Sequence, residues 1–287
     1  MEVNGRQRQF EMYVPPTAPR PLPVVLLLHG GKGTAEQMRR YVDFDRLAAR
    51  EGIIALYPQG LDGQWNDGRP ELGSMNPKAA ESDDTQFLLA IVDHLVEVGL
   101  ADPKRVYAAG LANGGMMALR LACQDADRFA GVAVVAANQP TSLDCTPDRP
   151  VPILFFHGTD DRFVPFAGGD ILKMYNIDRG KVLSATETVD MWRHIDGCDG
   201  APRSRRLSSE HSHKPKEGRL PRSVTADIQT FEPCSGAAVE HVILEGGGHA
   251  WPGAKQGPGG DAILGPAGHN IDANEEIWTF FKAQPER

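Results

Sequence analysis

The segment from Arg105 to Cys123, RVYAAGLANGGMMALRLAC, restricts the fold more than any other part of the chain. An apolar, strand-like run enters the sequence GLANG, and a helix-like run starts immediately after it. Small residues around the turn predict a sharp strand-to-helix elbow that holds one side chain above the end of a sheet. Elbows of this kind follow the pattern Gly-x-Ser-x-Gly, in which the serine is a nucleophile, and this chain has Ala112 at the serine position.

Strand-like and helix-like segments alternate along the chain, which predicts an α/β fold: a mainly parallel sheet with helices on both faces. We expect residues 1–287 to form a single domain. The predicted strands are Gln9–Val14, Val24–His29, Ile53–Tyr57, Val106–Ala109, Phe129–Val135, Ile153–His157 and His241–Leu244. The predicted helices are Ala35–Arg50, Asp84–Val98, Gly114–Gln124, Val182–Ile195 and Glu275–Lys282.

A second Gly-rich turn lies near the start of the chain, in LLLHGGKGTAEQM, residues 26–38. A strand-like run ends there before a helix, as it does in folds where this loop supplies one backbone N–H group to an oxyanion hole. The candidate donor in this loop is the N–H group of Gly31 or of Lys32. The second donor would be the N–H group of Asn113, the residue after Ala112.

A candidate acid and a candidate base follow later strands. ILFFHGTDDRFVPF (153–166) places Asp160 and Asp161 just beyond a buried strand, where an acid can orient a histidine. LEGGGHAWPG (244–253) places His249 after a glycine run. The order Ala112, Asp161, His249 is the order of nucleophile position, acid and base in α/β-hydrolases, and it differs from the order in chymotrypsin and subtilisin.

Together, the motifs HGG, GxxNGGMM, HGTxDxxVP and GGGHxWPG resemble those of the polyhydroxybutyrate-depolymerase-like and feruloyl-esterase group of α/β-hydrolases, similar to carbohydrate esterase family 1. The resemblance runs from about Gly5 to Phe281. It implies a carboxylic ester hydrolase that needs no cofactor and acts on small or oligomeric esters, of the feruloyl, aryl or hydroxyalkanoate type. It assigns the nucleophile position to Ala112, the acid to Asp161 and the base to His249.

The same resemblance suggests that Trp65, Asn66 and Trp251 are walls of the substrate cleft. The alternative for these residues is structural packing, because tryptophan side chains mostly bury apolar area.

Alanine at position 112 removes the hydroxyl that an esterase would use, since a methyl group cannot attack a carbonyl. Two explanations are open. Either a working esterase has had its serine replaced by alanine to keep an ester intact in the site, or the chain is a natural ligand-binding pseudohydrolase. Because the elbow, the oxyanion loops, Asp161 and His249 are all present, the sequence favours the first explanation.

Four cysteines, Cys123, Cys145, Cys198 and Cys234, bear on the compartment. Their order suggests two local bridges, Cys123–Cys145 and Cys198–Cys234, while four buried reduced thiols are the alternative. The first residues show no basic region followed by an apolar one, so the chain is expected to be intracellular or to have had a leader replaced by Met1. The resemblance implies a secreted or periplasmic protein with paired cysteines and favours the second possibility.

The remaining features exclude some partners. A formal net charge of -8 argues against nucleic acid as the main partner, and no apolar run is long enough to span a membrane. Residues 199–232 depart from the pattern, and the polar, basic stretch from Ala201 to Ser223 is expected to be a solvated surface excursion. We predict no metal site, because His211 and His213 lack partners at a ligand spacing.

Overall fold

The computed structural model describes residues 1–72, 76–175, 178–207, 224–257 and 260–285. Its thirteen strands are β1 (Glu2–Val3), β2 (Arg6–Gln7), β3 (Phe10–Tyr13), β4 (Leu22–Leu28), β5 (Ile54–Pro58), β6 (Ala101–Leu111), β7 (Gly131–Val135), β8 (Ile153–Gly158), β9 (Gly169–Asp170), β10 (Lys181–Val182), β11 (Arg203–Leu207), β12 (Thr225–Phe231) and β13 (Val239–Glu245). The α-helices are α1 (Ala35–Val42), α2 (Asp45–Glu51), α3 (Pro77–Ala80), α4 (Asp84–Glu97), α5 (Asn113–Gln124), α6 (Ala185–Ile195), α7 (Gly260–Leu264) and α8 (Ala273–Lys282).

One large sheet contains nine of these strands in the order β11-β12-β13-β8-β7-β6-β4-β5-β3. The six strands from β13 to β5 are parallel, β3 pairs antiparallel with β5, and β11, β12 and β13 pair antiparallel with one another. The predicted α/β-hydrolase architecture, a mainly parallel sheet with helices, is thereby confirmed.

Both faces of the sheet are buried, which explains why its central strands are apolar without interruption. Along β4, Val24, Leu26 and Leu28 face one core and Val25 and Leu27 face the other. Helices α4, α5 and α6 cover the first face, and α1, α2 and α8 cover the second. Since successive side chains of a strand point to opposite faces, a strand buried on both sides needs apolar residues at every position.

The structure corrects three sequence predictions. The helix predicted over Ala35–Arg50 is two helices, because Asp43 adopts a left-handed conformation (φ 50°) that ends α1. The helix predicted from Val182 begins at Ala185, where Ser184 caps it, and Val182 lies in β10. The stretch expected to be a surface excursion contains an edge strand, β11, and β12 follows it, while residues 208–223, with His211 and His213, lie outside the described residues.

Two disulfide bridges, Cys123–Cys145 and Cys198–Cys234, join the cysteines in the pairing that their order suggested. The first ties the last turn of α5 to the loop after β7. The second links the chain just before β11 to the chain just after β12. Within the described ranges, no helix has both the length and the apolar composition needed to cross a membrane.

Candidate active site

The turn between β6 and α5 has the backbone of a nucleophile elbow. Ala112 has φ 53° and ψ -118°, a conformation that a residue with a side chain adopts only when its surroundings impose it. Its N–H group donates to the carbonyl of Val135 in the neighbouring strand β7, at 2.9 Å. Ala112 is 9% exposed and follows Leu111, the last residue of β6, at the carboxyl edge of the sheet.

Two glycines make room for this turn. A Cβ atom on Gly110 would lie 2.2 Å from the carbonyl oxygen of Gly114, and a Cβ atom on Gly114 would lie 2.3 Å from the carbonyl oxygen of Leu28. Both distances are far below van der Waals contact. The small residues in GLANG are therefore required by close backbone approach, as the sequence pattern predicted.

The loop after β4 lies directly beside position 112. A Cβ atom built on Gly30 would lie 3.7 Å from the Ala112 Cβ atom. The N–H group of Lys32 donates to the carbonyl of Gly63 at 2.7 Å, so it is not available to a substrate, and Lys32 is corrected as a candidate donor. The N–H groups of Gly31 and Asn113 have no acceptor within the described part of the chain.

A buried polar network supports both turns. The Asn113 side chain accepts the N–H group of Trp65 at 2.8 Å and donates to Asp67 at 2.6 Å. The Trp65 indole donates to the carbonyl of His29 at 2.9 Å, and the His29 imidazole reaches the carbonyl of Gly30 at 2.8 Å. The loop after β5 thus joins the elbow to the Gly30–Gly31 turn.

His249 and Asp161 meet at the same edge of the sheet, because they follow the parallel strands β13 and β8. His249 Nδ1 lies 2.8 Å from Asp161 Oδ2. Asp161 Oδ1 accepts the backbone N–H groups of Phe163 (2.8 Å) and Val164 (3.0 Å). Burial by itself raises the pKa of Asp161, but the charge of His249 and hydrogen bonds from His157 and His249 outweigh it and hold that pKa well below its ordinary value.

Asp160, the neighbouring acid, is exposed and does not contact His249. Of the two aspartates, the structure therefore brings Asp161 to the histidine. Such a pair can orient the imidazole and stabilise its protonated form, while leaving Nε2 to exchange a proton.

Aromatic side chains lie beside His249. The Phe163 ring stacks on the His249 ring with centroids 5.0 Å apart, and Tyr175 lies 6.2 Å from Phe163. Tyr175 and its neighbour Met174 are large apolar side chains more than half exposed. We call Phe163, Tyr175 and the exposed Met174 that precedes Tyr175 in the chain the aromatic rim; its Phe163 ring contacts the histidine.

The three predicted cleft walls have other roles. Trp65 and Trp251 are 0% and 1% exposed, so their rings present no surface to a substrate, and that prediction is corrected. The Trp251 indole donates to Asn274 inside the second core. Asn66 donates to the carbonyls of Ala80 and Ser82 and so fastens the loop before α4. The error arises because an indole ring is largely apolar with a single N–H group, so it packs in a protein core as readily as it lines a cleft.

Sequence reasoning missed His29, His157 and Phe163 at this site. The two histidines stand before glycine at the ends of β4 and β8, within HGG and HGT, and that repeated position was the available signal. Among the described residues, no three histidine, cysteine, aspartate or glutamate side chains group as a metal site requires.

Comparison with known proteins identifies the family and the fold. The model of the "Dienelactone hydrolase family" matches residues 11–178. NocK of Nocardia uniformis subsp. tsuyamanensis, named as an esterase, is 34% identical over 88% of this chain and 72% of its own length. "Feruloyl esterase B" of Piromyces equi is 28% identical over 84% of this chain, which spans only 42% of that relative.

Solved structures show the same fold. "Acetyl xylan esterase from Aspergillus awamori" superposes with a TM-score of 0.58 at 14% identity and covers 94% of this chain and 93% of its own. A second structure, "Crystal Structure of a Thermostable Esterase", gives a TM-score of 0.57 at 17% identity, with 99% of this chain and 60% of its own covered.

Proposed function

Because this chain belongs to the dienelactone hydrolase family and is an esterase-like α/β-hydrolase, we propose that it is a carboxylic ester hydrolase whose nucleophile position carries alanine. The observation that carries the proposal is the backbone of Ala112, which keeps the strained elbow conformation although no hydroxyl is present. A strained backbone at this turn is useful when it holds the side chain of that residue in position to reach a substrate carbonyl.

The proposed reaction of the serine form has two stages. A serine hydroxyl at position 112 attacks the ester carbonyl while His249 Nε2 takes its proton, and the backbone N–H groups of Gly31 and Asn113 stabilise the tetrahedral oxyanion. His249 then returns the proton to the leaving alkoxide, which departs as the alcohol. In the second stage, water that is deprotonated by His249 attacks the acyl-enzyme, and His249 returns the proton to the serine oxygen as the acid leaves. Asp161 holds the His249 ring throughout.

Restoring the hydroxyl tests this proposal. Ala112→Ser is expected to hydrolyse p-nitrophenyl acetate or butyrate at least about 1,000-fold faster than the alanine chain, because loss of the nucleophile of such a triad costs several orders of magnitude. In the serine background, Asp161→Asn is expected to lose most of that gain. Asp160→Asn, at the exposed neighbour, is the matched control and keeps it.

The natural pseudohydrolase is the competing function. It predicts that Ala112→Ser hydrolyses esters no faster than the alanine chain while both bind them tightly, and that result would overturn the proposal. An alanine codon in the source gene would accompany it.

For the substrate, we propose an aryl ester of the feruloyl type over a hydroxyalkanoate ester. Support comes from the aromatic rim, since the Phe163 ring stacks on His249 and Tyr175 lies beside Phe163, so an aromatic acyl group held at His249 has aromatic neighbours. In the Ala112→Ser chain, Tyr175→Ala is expected to raise KM for methyl ferulate several-fold and to leave KM for p-nitrophenyl acetate unchanged. Equal changes in KM for both substrates would favour aliphatic esters of the hydroxyalkanoate type. Hydrolysis of hydroxybutyrate oligomers would then test that class directly.

Two disulfides support an oxidising, extracellular or periplasmic location for the protein.

A further inference from the structure

A second histidine, His157, lies against the acid. It stands in β8, four residues before Asp161, and is 2% exposed. Its Nδ1 atom lies 2.8 Å from Asn138 Oδ1, and its Nε2 atom lies 2.9 Å from the carbonyl oxygen of Val164. The same Nε2 atom is 3.4 Å from Asp161 Oδ2. Among the described residues, the polar atoms that face the two ring nitrogens are therefore all oxygens.

The neighbours decide how many protons the ring carries. The Val164 carbonyl and the Asp161 carboxylate can only accept hydrogen bonds. The Asn138 amide is fixed because its Nδ2 atom donates to the carbonyl of Pro165 at 3.1 Å, and a reversed amide would set two oxygens against each other. A neutral imidazole has one N–H group, so either tautomer would point a lone pair at an oxygen. A protonated ring donates on both sides.

Two other buried histidines show the contrasting arrangement. His29 Nε2 accepts the N–H group of Gly60 at 2.9 Å, and its Nδ1 faces the carbonyl of Gly30, so a single proton satisfies that ring. Burial lowers the pKa of His29. At His241, burial and the nearby His157 charge lower the pKa to about 3, which leaves that ring neutral.

We propose that His157 is a buried imidazolium and the second cationic partner of Asp161, acting as a positioning residue for the acid. This inference rests on the proposed function for its catalytic meaning. The Asp161 carboxylate is then saturated: Oδ1 takes two backbone N–H groups, and Oδ2 lies between the rings of His249 and His157. Such saturation fixes the carboxylate in one orientation.

The second charge also competes with His249 for the Asp161 carboxylate. A carboxylate that is partly neutralised by His157 stabilises the His249 imidazolium less. The charged and titratable groups around His157 are Asp161 on the following loop, His249 beyond it and the neutral His241 on β13. Asp160 and Arg162, on either side of Asp161, are exposed to solvent.

Protonation can be measured on the alanine chain itself by NMR with ¹⁵N-labelled histidine. We expect both His157 nitrogens to carry hydrogen at about pH 7, while His29 and His241 show one each. A single protonated nitrogen on His157 at about pH 7 overturns the proposal. Asp161→Asn removes the counter-ion and is expected to leave only one His157 nitrogen protonated at about pH 7, and Asp160→Asn is the control that leaves both protonated.

Kinetics test the positioning role in the Ala112→Ser chain. His157→Gln removes the charge, so the acidic limb of the kcat/KM profile is expected to move up by about one pH unit. A lower kcat with an unmoved limb would mean that His157 only supports the fold, and it would overturn the role. If the His157→Gln variant does not fold, the NMR measurement of His157 protonation in the Asp161→Asn variant tests the proposal instead. Failure of the proposed function would instead appear as no turnover in the Ala112→Ser chain.

Discussion

Asp196 is a buried carboxyl group that forms no ion pair with the described residues. It lies at the end of α6, is 0% exposed, and accepts the N–H group of Val151 through Oδ1 at 3.1 Å. Its other oxygen, Oδ2, has no hydrogen-bond partner among the described residues. Burial raises the pKa of Asp196 from 3.8 to about 8, despite the hydrogen bond from Val151.

This raised pKa predicts a stability that falls with pH. The folded protein holds the proton up to about pH 8, whereas the unfolded chain releases it near pH 4, so the contribution is present at low pH and is lost between those values. From pH 5 to pH 8 the loss is roughly 4 kcal/mol of unfolding free energy. Asp196→Asn, which keeps the acceptor for Val151, is expected to be more stable at pH 8 and to lose this dependence.

Urea unfolding at both pH values measures the effect, with Asp199→Asn as an exposed control three residues away. If Asp196→Asn and its parent lose equal stability between pH 5 and pH 8, Asp196 is ionised in the folded state and the prediction is wrong.

For individual residues, sequence reasoning predicted those whose chemical role follows from their place at the end of a strand. Asp161 and His249 follow adjacent parallel strands, so their meeting needed only the fold and the motif order. The support residues could not be found that way. Whether Trp65 faces a cleft or a core depends on which backbone atoms its indole meets, and that is a property of the folded loop.

The elbow is an element in which packing overrides helix propensity. Gly114 lies in the first turn of α5, where alanine would ordinarily be the better helix former by about 1 kcal/mol. Its missing Cβ atom would meet the backbone of Leu28 and His29 at 2.3 and 2.5 Å, and backbone cannot move aside as a flexible side chain can.

Gly114→Ala is therefore expected to lower the unfolding free energy by about 3 kcal/mol, the upper range for overpacking a core. Chemical denaturation measures the loss. Gly257→Ala, at an exposed glycine with no atom within 4 Å of a Cβ, is the control and should change little. Equal stability of Gly114→Ala and the parent would show that α5 can shift away from β4.

Element boundaries were harder to predict than the elements themselves. The apolar periodicity of residues 35–50 continues across the break between α1 and α2, because both helices pack on the same core. What separates them is the left-handed Asp43, which the periodicity does not report. Strand β11, RSRRL, has no apolar alternation, since it lies at the sheet edge with four exposed residues.

At the scale of the whole molecule, the charged residues of strand β11 pair with residues from distant parts of the chain. Arg203, Arg205 and Arg206 each pair with a glutamate from another part of the chain: Glu232, Glu276 and Glu245. In the described part of the basic stretch, these three arginines are thus paired with acidic side chains. Charged side chains on an exposed edge also discourage pairing with a second sheet.

The two disulfide bridges each close a loop of the chain. Cys198 and Cys234 are 36 residues apart, and the loop between them contains β11 and β12. Cys123 and Cys145 are 22 residues apart, and their loop follows α5. By loop entropy each bridge is worth roughly 3 kcal/mol, so reduction is expected to lower the unfolding free energy by about twice that. Urea unfolding with and without dithiothreitol measures this loss.

The double variants Cys123→Ser/Cys145→Ser and Cys198→Ser/Cys234→Ser should each lose about half of that unfolding free energy, since the closed loops do not overlap and their contributions add. If reduction leaves the midpoint unchanged, the bridges do not stabilise the fold, and the argument from them for an oxidising compartment fails.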